Sequence, residues 1–183
     1  MPNGFDVSHA KNILKKKREK SYKYGITIGT FRYKKIKVAL ELFHKIKKEN
    51  NLKKMIVVGS FDHIPKSVLK DKFVEAKSNI STKELLNLLH NAEYYISASQ
   101  IENSSIAAYE ALLLSKNLVM SNIPSHEEML RNFETKKMVL ENSGIEFIVL
   151  NKKNQSIKFT PISWIDINRK LFQIIENYND AMV

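Results

Sequence analysis

Two glutamates eight positions apart mark the part of this 183-residue chain best equipped for chemistry, Ser99-Gln-Ile-Glu102-Asn-Ser-Ser-Ile-Ala-Ala-Tyr-Glu110. Asn103, Ser104 and Ser105 put short polar side chains between them, where a β-rich run gives way to a helical one. The first amides of a helix have no acceptor within it, and its dipole places partial positive charge there. Such a junction suits an anion, a pyrophosphate for example. Glu110 is polar among Ala107, Ala108, Ala111, Leu112 and Leu113. A carboxylate so placed can accept hydrogen bonds from vicinal hydroxyls, as acidic residues do with ribose. Plainer roles fit equally: Glu102 as partner of the helix dipole, Glu110 as a solvated helix glutamate. Spacing alone does not separate the two.

A second anion candidate is the basic loop Gly29-Thr-Phe-Arg-Tyr-Lys-Lys35, also set between a strand-like and a helix-like run. Its cations could neutralise a departing nucleotide; read alone, it is more simply a basic surface turn. It matches neither Gly-x4-Gly-Lys-Ser/Thr nor Gly-x-Gly-x-x-Gly. Other chemistries find less. The five histidines (His9, His44, His63, His90, His126) lack metal-ligand spacing, and no cysteine is present. That excludes a disulfide scaffold, a thiolate metal site and a cysteine nucleophile. No Gly-x-Ser-x-Gly elbow is present. His126-Glu127 reads as a helix-start pair, and His44 and His90 as half-buried or solvated helix residues.

Alternating elements must position these residues. Gly25–Gly29, Lys54–Gly59, Phe73–Ala76, Tyr94–Ser99, Leu118–Ser121 and Ile145–Leu150 read as strands. Helical spacing covers Ile36 to Ile46, Ser81 to Asn91, Ser104 to Ser115, a short run from Pro124, and Ile162 to about Asp180. Ser81-Thr-Lys-Glu84 is a capping box. This alternation predicts an α/β domain over residues 1–183: a Rossmann-like parallel sheet with helices on both faces, and ligands at the strands' carboxyl edge. Residues 1–22 form a lead-in segment and 162–183 a terminal helix, with Trp164 packing at its start.

The net charge of +11 is regional: residues 1–60 hold 16 of the 30 Lys and Arg but four of the 19 Asp and Glu. The densest stretch, Lys11–Lys20, reads as a solvated helix face. A positive face could also attract nucleic acid or an anionic membrane, although no nucleic-acid motif or stacking platform accompanies it. No run reaches the ~20 apolar residues of a membrane span. The start is unlike a signal peptide, and the absence of cysteine is simplest in a reducing cytosol.

The order of segments resembles the C-terminal, donor-binding half of the retaining GT-B glycosyltransferases of family 4, also called glycosyl transferases group 1. Pro2-Asn-Gly-Phe-Asp6 resembles the family's Pro-Asn-Gly-Val-Asp, and Gly29 to Ile36 its Gly-Arg-x-x-x-x-Lys-Gly phosphate loop. Glu102 and Glu110 match its glutamate pair, usually Glu-Gly-Phe-Gly-x-x-x-x-Glu. Glu110 to Ser115, Val119 to Asn122 and Ser163-Trp164 follow its later segments in order.

The resemblance implies the second Rossmann domain of a GT-B fold, binding a UDP-, GDP- or ADP-sugar. Glu102 would contact the transferred hexose and Glu110 the ribose. Amides around Asn103, Ser104, Ser105 and Ile106 would hold the diphosphate, with Lys35, Gly29 and Arg32 alongside, and the base would lie near Ser78, Asn79 and Ile80. Transfer in the family retains anomeric configuration and uses no metal or other cofactor. Thr30 departs from the family's arginine, Ile36 from its glycine after the lysine, and Asn103 and Ser105 from glycines that let the backbone approach the donor. The N-terminal acceptor domain is missing, so this chain alone is expected to transfer no sugar to a glycan or lipid-linked acceptor. The basic face would offer peripheral contact with a membrane. An epimerase or phosphorylase of the same architecture fits the glutamate pair less well.

Overall fold

Apolar runs without polar alternation demand cover on both faces. In the computed structural model, which describes residues 7–19, 22–103, 105–140 and 144–152, they form the middle of a seven-stranded sheet. Its strands are β1 (Tyr24–Ile28), β2 (Lys54–Val58), β3 (Val74–Lys77), β4 (Tyr94–Ser97), β5 (Asn117–Ser121), β6 (Lys136–Leu140) and β7 (Ile145–Asn151). Their spatial order is β3-β2-β1-β4-β5-β7-β6. The first five are parallel, with Ile26 opposite Ile56 and Tyr95 opposite Leu118.

The helices are α1 (Val7–Leu14), α2 (Ile36–Asn50), the one-turn α3 (Lys66–Leu69), α4 (Thr82–Asn91), α5 (Ile106–Leu114) and α6 (Pro124–Leu130). Strand side chains alternate between faces. Ile26, Ile56, Tyr95 and Leu118 therefore meet Ala10 and Ile13 of α1, Leu86 and Leu89 of α4, Ala108 and Leu112 of α5, and Met129 of α6. Met55, Val57, Ile96 and Val119 face the other way, onto Leu42, Phe43 and Ile46 of α2 and Val68 of α3. The α2 stripe thus fills one face while its lysines point outward.

Two expectations change. The last strand is not parallel: β7 runs antiparallel to β5, and β6 pairs antiparallel with β7 at the edge. A short connection between strands can only return antiparallel, and Gly144, at φ 64, closes it by donating to Leu140 O at 2.9 Å. Edge position suits Lys136 and Lys137, both exposed. The Lys11–Lys20 stretch is likewise not wholly solvated. Its Arg18 donates to His90 O and, at 2.9 Å, to Leu114 O, covering the carbonyl ends of α4 and α5. Lys152 does the same at Leu112 O, 2.7 Å away. The capping box is half realised: Ser81 Oγ accepts from Glu84 N at 3.2 Å, while the Glu84 carboxylate pairs with Lys77. Pro2–Asp6, Ser104, Trp164 and the expected helix from Ile162 lie outside the described residues.

Candidate functional site

The loop after β1 leaves the sheet at Gly29, whose φ of 86 suits a residue without Cβ. A side chain there would also press on Lys34, since a Cβ would lie 3.0 Å from Lys34 Cε. The Lys34 stem crosses Gly29 for that reason. Thr30 turns inward and donates to Ser60 O at 3.0 Å. Its methyl fills the space above Gly59, where a Cβ would come within 2.6 Å. A 3-10 turn over Arg32–Lys34 follows, then Lys35 in the left-handed region at φ 48, which opens α2.

This loop is tied to the one after β4 by Gln100 N donating to Tyr33 O at 2.9 Å. Across that tie, Lys34 Nζ donates to Glu102 Oε1, both side chains being about nine-tenths buried. Ser99 Oγ donates to the same carboxylate oxygen at 2.8 Å. The Ser99 carbonyl accepts from Ser121 Oγ at 2.5 Å, and the Ser121 carbonyl from His126 Nδ1 at 2.8 Å. A relay from β5 and α6 thereby fixes Glu102 from below while Lys34 holds it from the side.

His126 stands in the first turn of α6, as its sequence context predicts, and is buried there. Since Nδ1 donates to a carbonyl, Nε2 carries a lone pair, and that atom has no partner among the described residues. Burial holds the imidazole below its usual pKa, against a raising field from Glu102. His90, also buried, accepts no solvated role either; its Nε2 donates to Lys16 O.

Ser105 caps α5 by accepting from Ala108 N at 3.3 Å, while Asn103 and Ile106 are exposed beside Glu102. Beneath them lies Tyr95, fully buried, whose phenol reaches the Ser97 and Ser105 hydroxyls and titrates above its ordinary range through burial. Glu110 stands in the second turn of α5, half-buried, and its carboxylate has no hydrogen bond or ion pair among the described residues. Burial alone lifts its carboxyl pKa to about 7.

The expected residues therefore divide into three places. Gly29, Glu102, Asn103, Ser105, Ile106 and Glu110 belong to the β1 and β4 loops and the start of α5. Arg32 and Lys35 lie on the far side of the β1 loop, in a separate hollow with His63 and Pro65. Ser78, Asn79 (φ 53) and Ile80 follow β3, three strand spacings or about 14 Å from β4. A hollow of about 520 Å³ opens beside them along α4, lined by Tyr24, Lys77, Ser81 and Glu84 among others. Sequence reading did not single out Lys34, which meets Glu102, or the Ser99–Ser121–His126 relay; Lys35, expected at the donor diphosphate, lines the separate hollow. No cluster of three or more metal-ligating side chains occurs among the described residues. No helix among them is long and apolar enough to cross a membrane.

No curated protein matches the chain. Among solved structures, a mutant of S. aureus TarM in complex with Fondaparinux, alpha-GlcNAc-glycerol and UDP superposes with a TM-score of 0.50 at 20% identity. The match covers 63% of this chain and 25% of that one, so the chain spans about a quarter of TarM's length. That likeness is one of fold, a Rossmann-like GT-B domain. In sequence, the family described as Glycosyl transferases group 1 matches residues 9–151, from α1 through β7 and across every loop of the site. The chain belongs to that glycosyltransferase family.

Proposed function

We propose that this chain is the nucleotide-sugar donor-binding domain of a retaining glycosyltransferase that moves a hexose from a UDP-, GDP- or ADP-sugar to a glycan or lipid-linked acceptor in polysaccharide biosynthesis. The observation that carries the reading is the meeting of Lys34 with Glu102 across two loops of the strands' carboxyl edge, with Glu110 eight residues on along the next helix. TarM, the fold neighbour, was crystallised with UDP.

In this reading Glu102 accepts hydrogen bonds from the sugar's hydroxyls and is held for it by Ser99. Lys34 exchanges its contact with Glu102 for the diphosphate, neutralising charge that builds on the leaving group. The amides at Asn103 to Ile106, under the positive end of α5, complete that counter-charge. Glu110, desolvated and without a side-chain partner among the described residues, takes the ribose hydroxyls. The base lies toward Ser78–Ile80. Lys34 and these amides supply the positive charge, and the reading calls for no metal ion. The acceptor would be presented by a further domain, so the 183 residues alone bind donor without transferring it; a peripheral contact with an inner membrane surface would bring a lipid-linked acceptor close.

A thermal-shift panel of UDP, GDP, ADP and their sugars tests this. One of them at millimolar concentration should raise the melting temperature, and Glu110→Ala should reduce the shift. No shift from any of them refutes the proposal.

A further inference from the structure

We propose that the hollow between the β1 and β2 loops is a second ligand site, one that takes the phosphate ester of a sugar. It measures about 570 Å³ and lies across the β1 loop from Glu102, sharing no lining residue with the Lys34–Glu102–Ser99 contacts. Arg32, Lys35 and Lys37 line it, and none of the three makes an ion pair among the described residues. Elsewhere in the fold the lysines beside a carboxylate are matched, Lys34 to Glu102, Lys54 to Glu75 and Lys116 to Glu93. One carboxylate, Glu41, faces these three cations. The surplus of two positive charges answers a dianion, as a phosphate monoester is at neutral pH, better than a single carboxylate.

The wall of the hollow selects what carries the phosphate. Phe31 is 57% exposed, yet its ring is held in place. Tyr33 stacks on it at 5.9 Å and 8° between planes, and His63 flanks it at 5.5 Å. A fixed aromatic face beside unpaired guanidinium and ammonium groups presents an apolar platform with charge at its rim. The C–H face of a sugar ring rests on such a platform while its phosphate meets Arg32, which can bind two phosphate oxygens at once. Val38 and Pro65 close the remaining side.

The proposed binding does not rest on the donor-site reading. The test titrates the 183-residue protein with glucose 6-phosphate, glucose, inorganic phosphate and glucuronate by calorimetry, with and without UDP. Glucose 6-phosphate should bind saturably, and glucose, phosphate and glucuronate each about tenfold or more weaker, the loss of one good charged or stacking contact. Phe31→Ala and Lys37→Glu, both at exposed positions, should each weaken glucose 6-phosphate about tenfold at unchanged melting temperature. No saturable binding by about 10 mM, equal binding of glucuronate, or indifference to both variants overturns the proposal. Competition with UDP overturns it too, since the hollow would then be part of the donor site. If glucose 6-phosphate binds and every nucleotide fails, the donor reading falls and this one stands.

Discussion

Glu110 makes stability depend on pH in a direction few carboxylates do. Its carboxyl pKa rises from 4.5 to about 7 on folding, and burial is the cause. Between those values the unfolded chain releases the proton and the folded chain keeps it, so the folded state binds more protons. Stability from this group is therefore fully present below pH 4.5 and is lost as pH rises through about 7. Each pH step within the window costs about 1.4 kcal/mol, so up to about 3 kcal/mol disappears between pH 5 and 8. His90 and His126 act oppositely: burial lowers both, so their contribution grows as pH rises toward the ordinary imidazole value. The clean quantity is thus the difference between wild type and Glu110→Gln, which keeps the shape and removes the titration. Urea unfolding at half-unit steps from pH 5 to 8 should show the variant gaining on wild type by about 2–3 kcal/mol across the range, steepest near 6. Parallel curves would mean that Glu110 is hydrated in solution and that the desolvation argument for its hydroxyl-binding role is wrong. UDP should complete the picture. Ribose hydroxyls donate to the ionised carboxylate, so UDP affinity should rise with pH through about 7 in wild type and stay flat in the variant.

Lys34→Ala should weaken nucleoside diphosphate binding by about tenfold and nucleoside binding little, measured by calorimetry, because the lost contact is to phosphate. Lys35→Ala should do less to UDP than Lys34→Ala; the reverse order would return the phosphate contact to Lys35. Gly59→Ala should cost about 2–3 kcal/mol by chemical unfolding, since its Cβ would meet Thr30 Cγ2 at 2.6 Å from a φ of 155. Gly144→Ala, with open space around the new Cβ at φ 64, should cost only about 1 kcal/mol, the left-handed penalty by itself. His126→Asn keeps a donor for Ser121 O and removes the lone pair at Nε2, so its unfolding should depend less on pH below about 6.5 than that of wild type.

Most of the sheet was legible because its strands are short apolar runs bounded by turn residues, and because the Ser81 cap marks where α4 begins. The exception has a physical reason. Lys136-Lys-Met-Val-Leu140 sits at an edge, where one face is wet and the β period is weak. Nothing local in Ile145–Asn151 says whether a strand runs with or against its neighbour. The available signal was in the sequence, where turn-forming Asn, Ser and Gly stand close between the two strand runs. In the site, the two glutamates were legible by their spacing. That Lys34 and not its neighbour meets Glu102 was not, because it depends on the 3-10 turn and on Lys35 entering the left-handed region, which swing Lys34 across Gly29. The burial of His126 could have been found: Met129 and Leu130 follow at i+3 and i+4, on the same helix face, and both are core residues.

The distribution of charge bears on the choice between a donor site and a general polyanion surface. A face that binds nucleic acid or lipid by charge needs its cations together and unspent. Here α1, with Lys11, packs on one side of the sheet and α2, with Lys37, Lys45 and Lys48, on the other. Lys34, Lys54, Lys77 and Lys116 are each engaged by a carboxylate. Among the described residues two groups of cations remain clustered without a carboxylate partner: the exposed Lys15, Lys16 and Lys17 after α1, and Arg32, Lys35 and Lys37 around a hollow the size of a small molecule at the carboxyl edge. The basicity of residues 1–60 thus divides among two opposed helix faces, the Lys15–Lys17 run and one cationic hollow. In the proposed reading that hollow takes a discrete phosphate, whereas a long polyanion needs its cations along one continuous face, and α1 and α2 lie on opposite faces of the sheet.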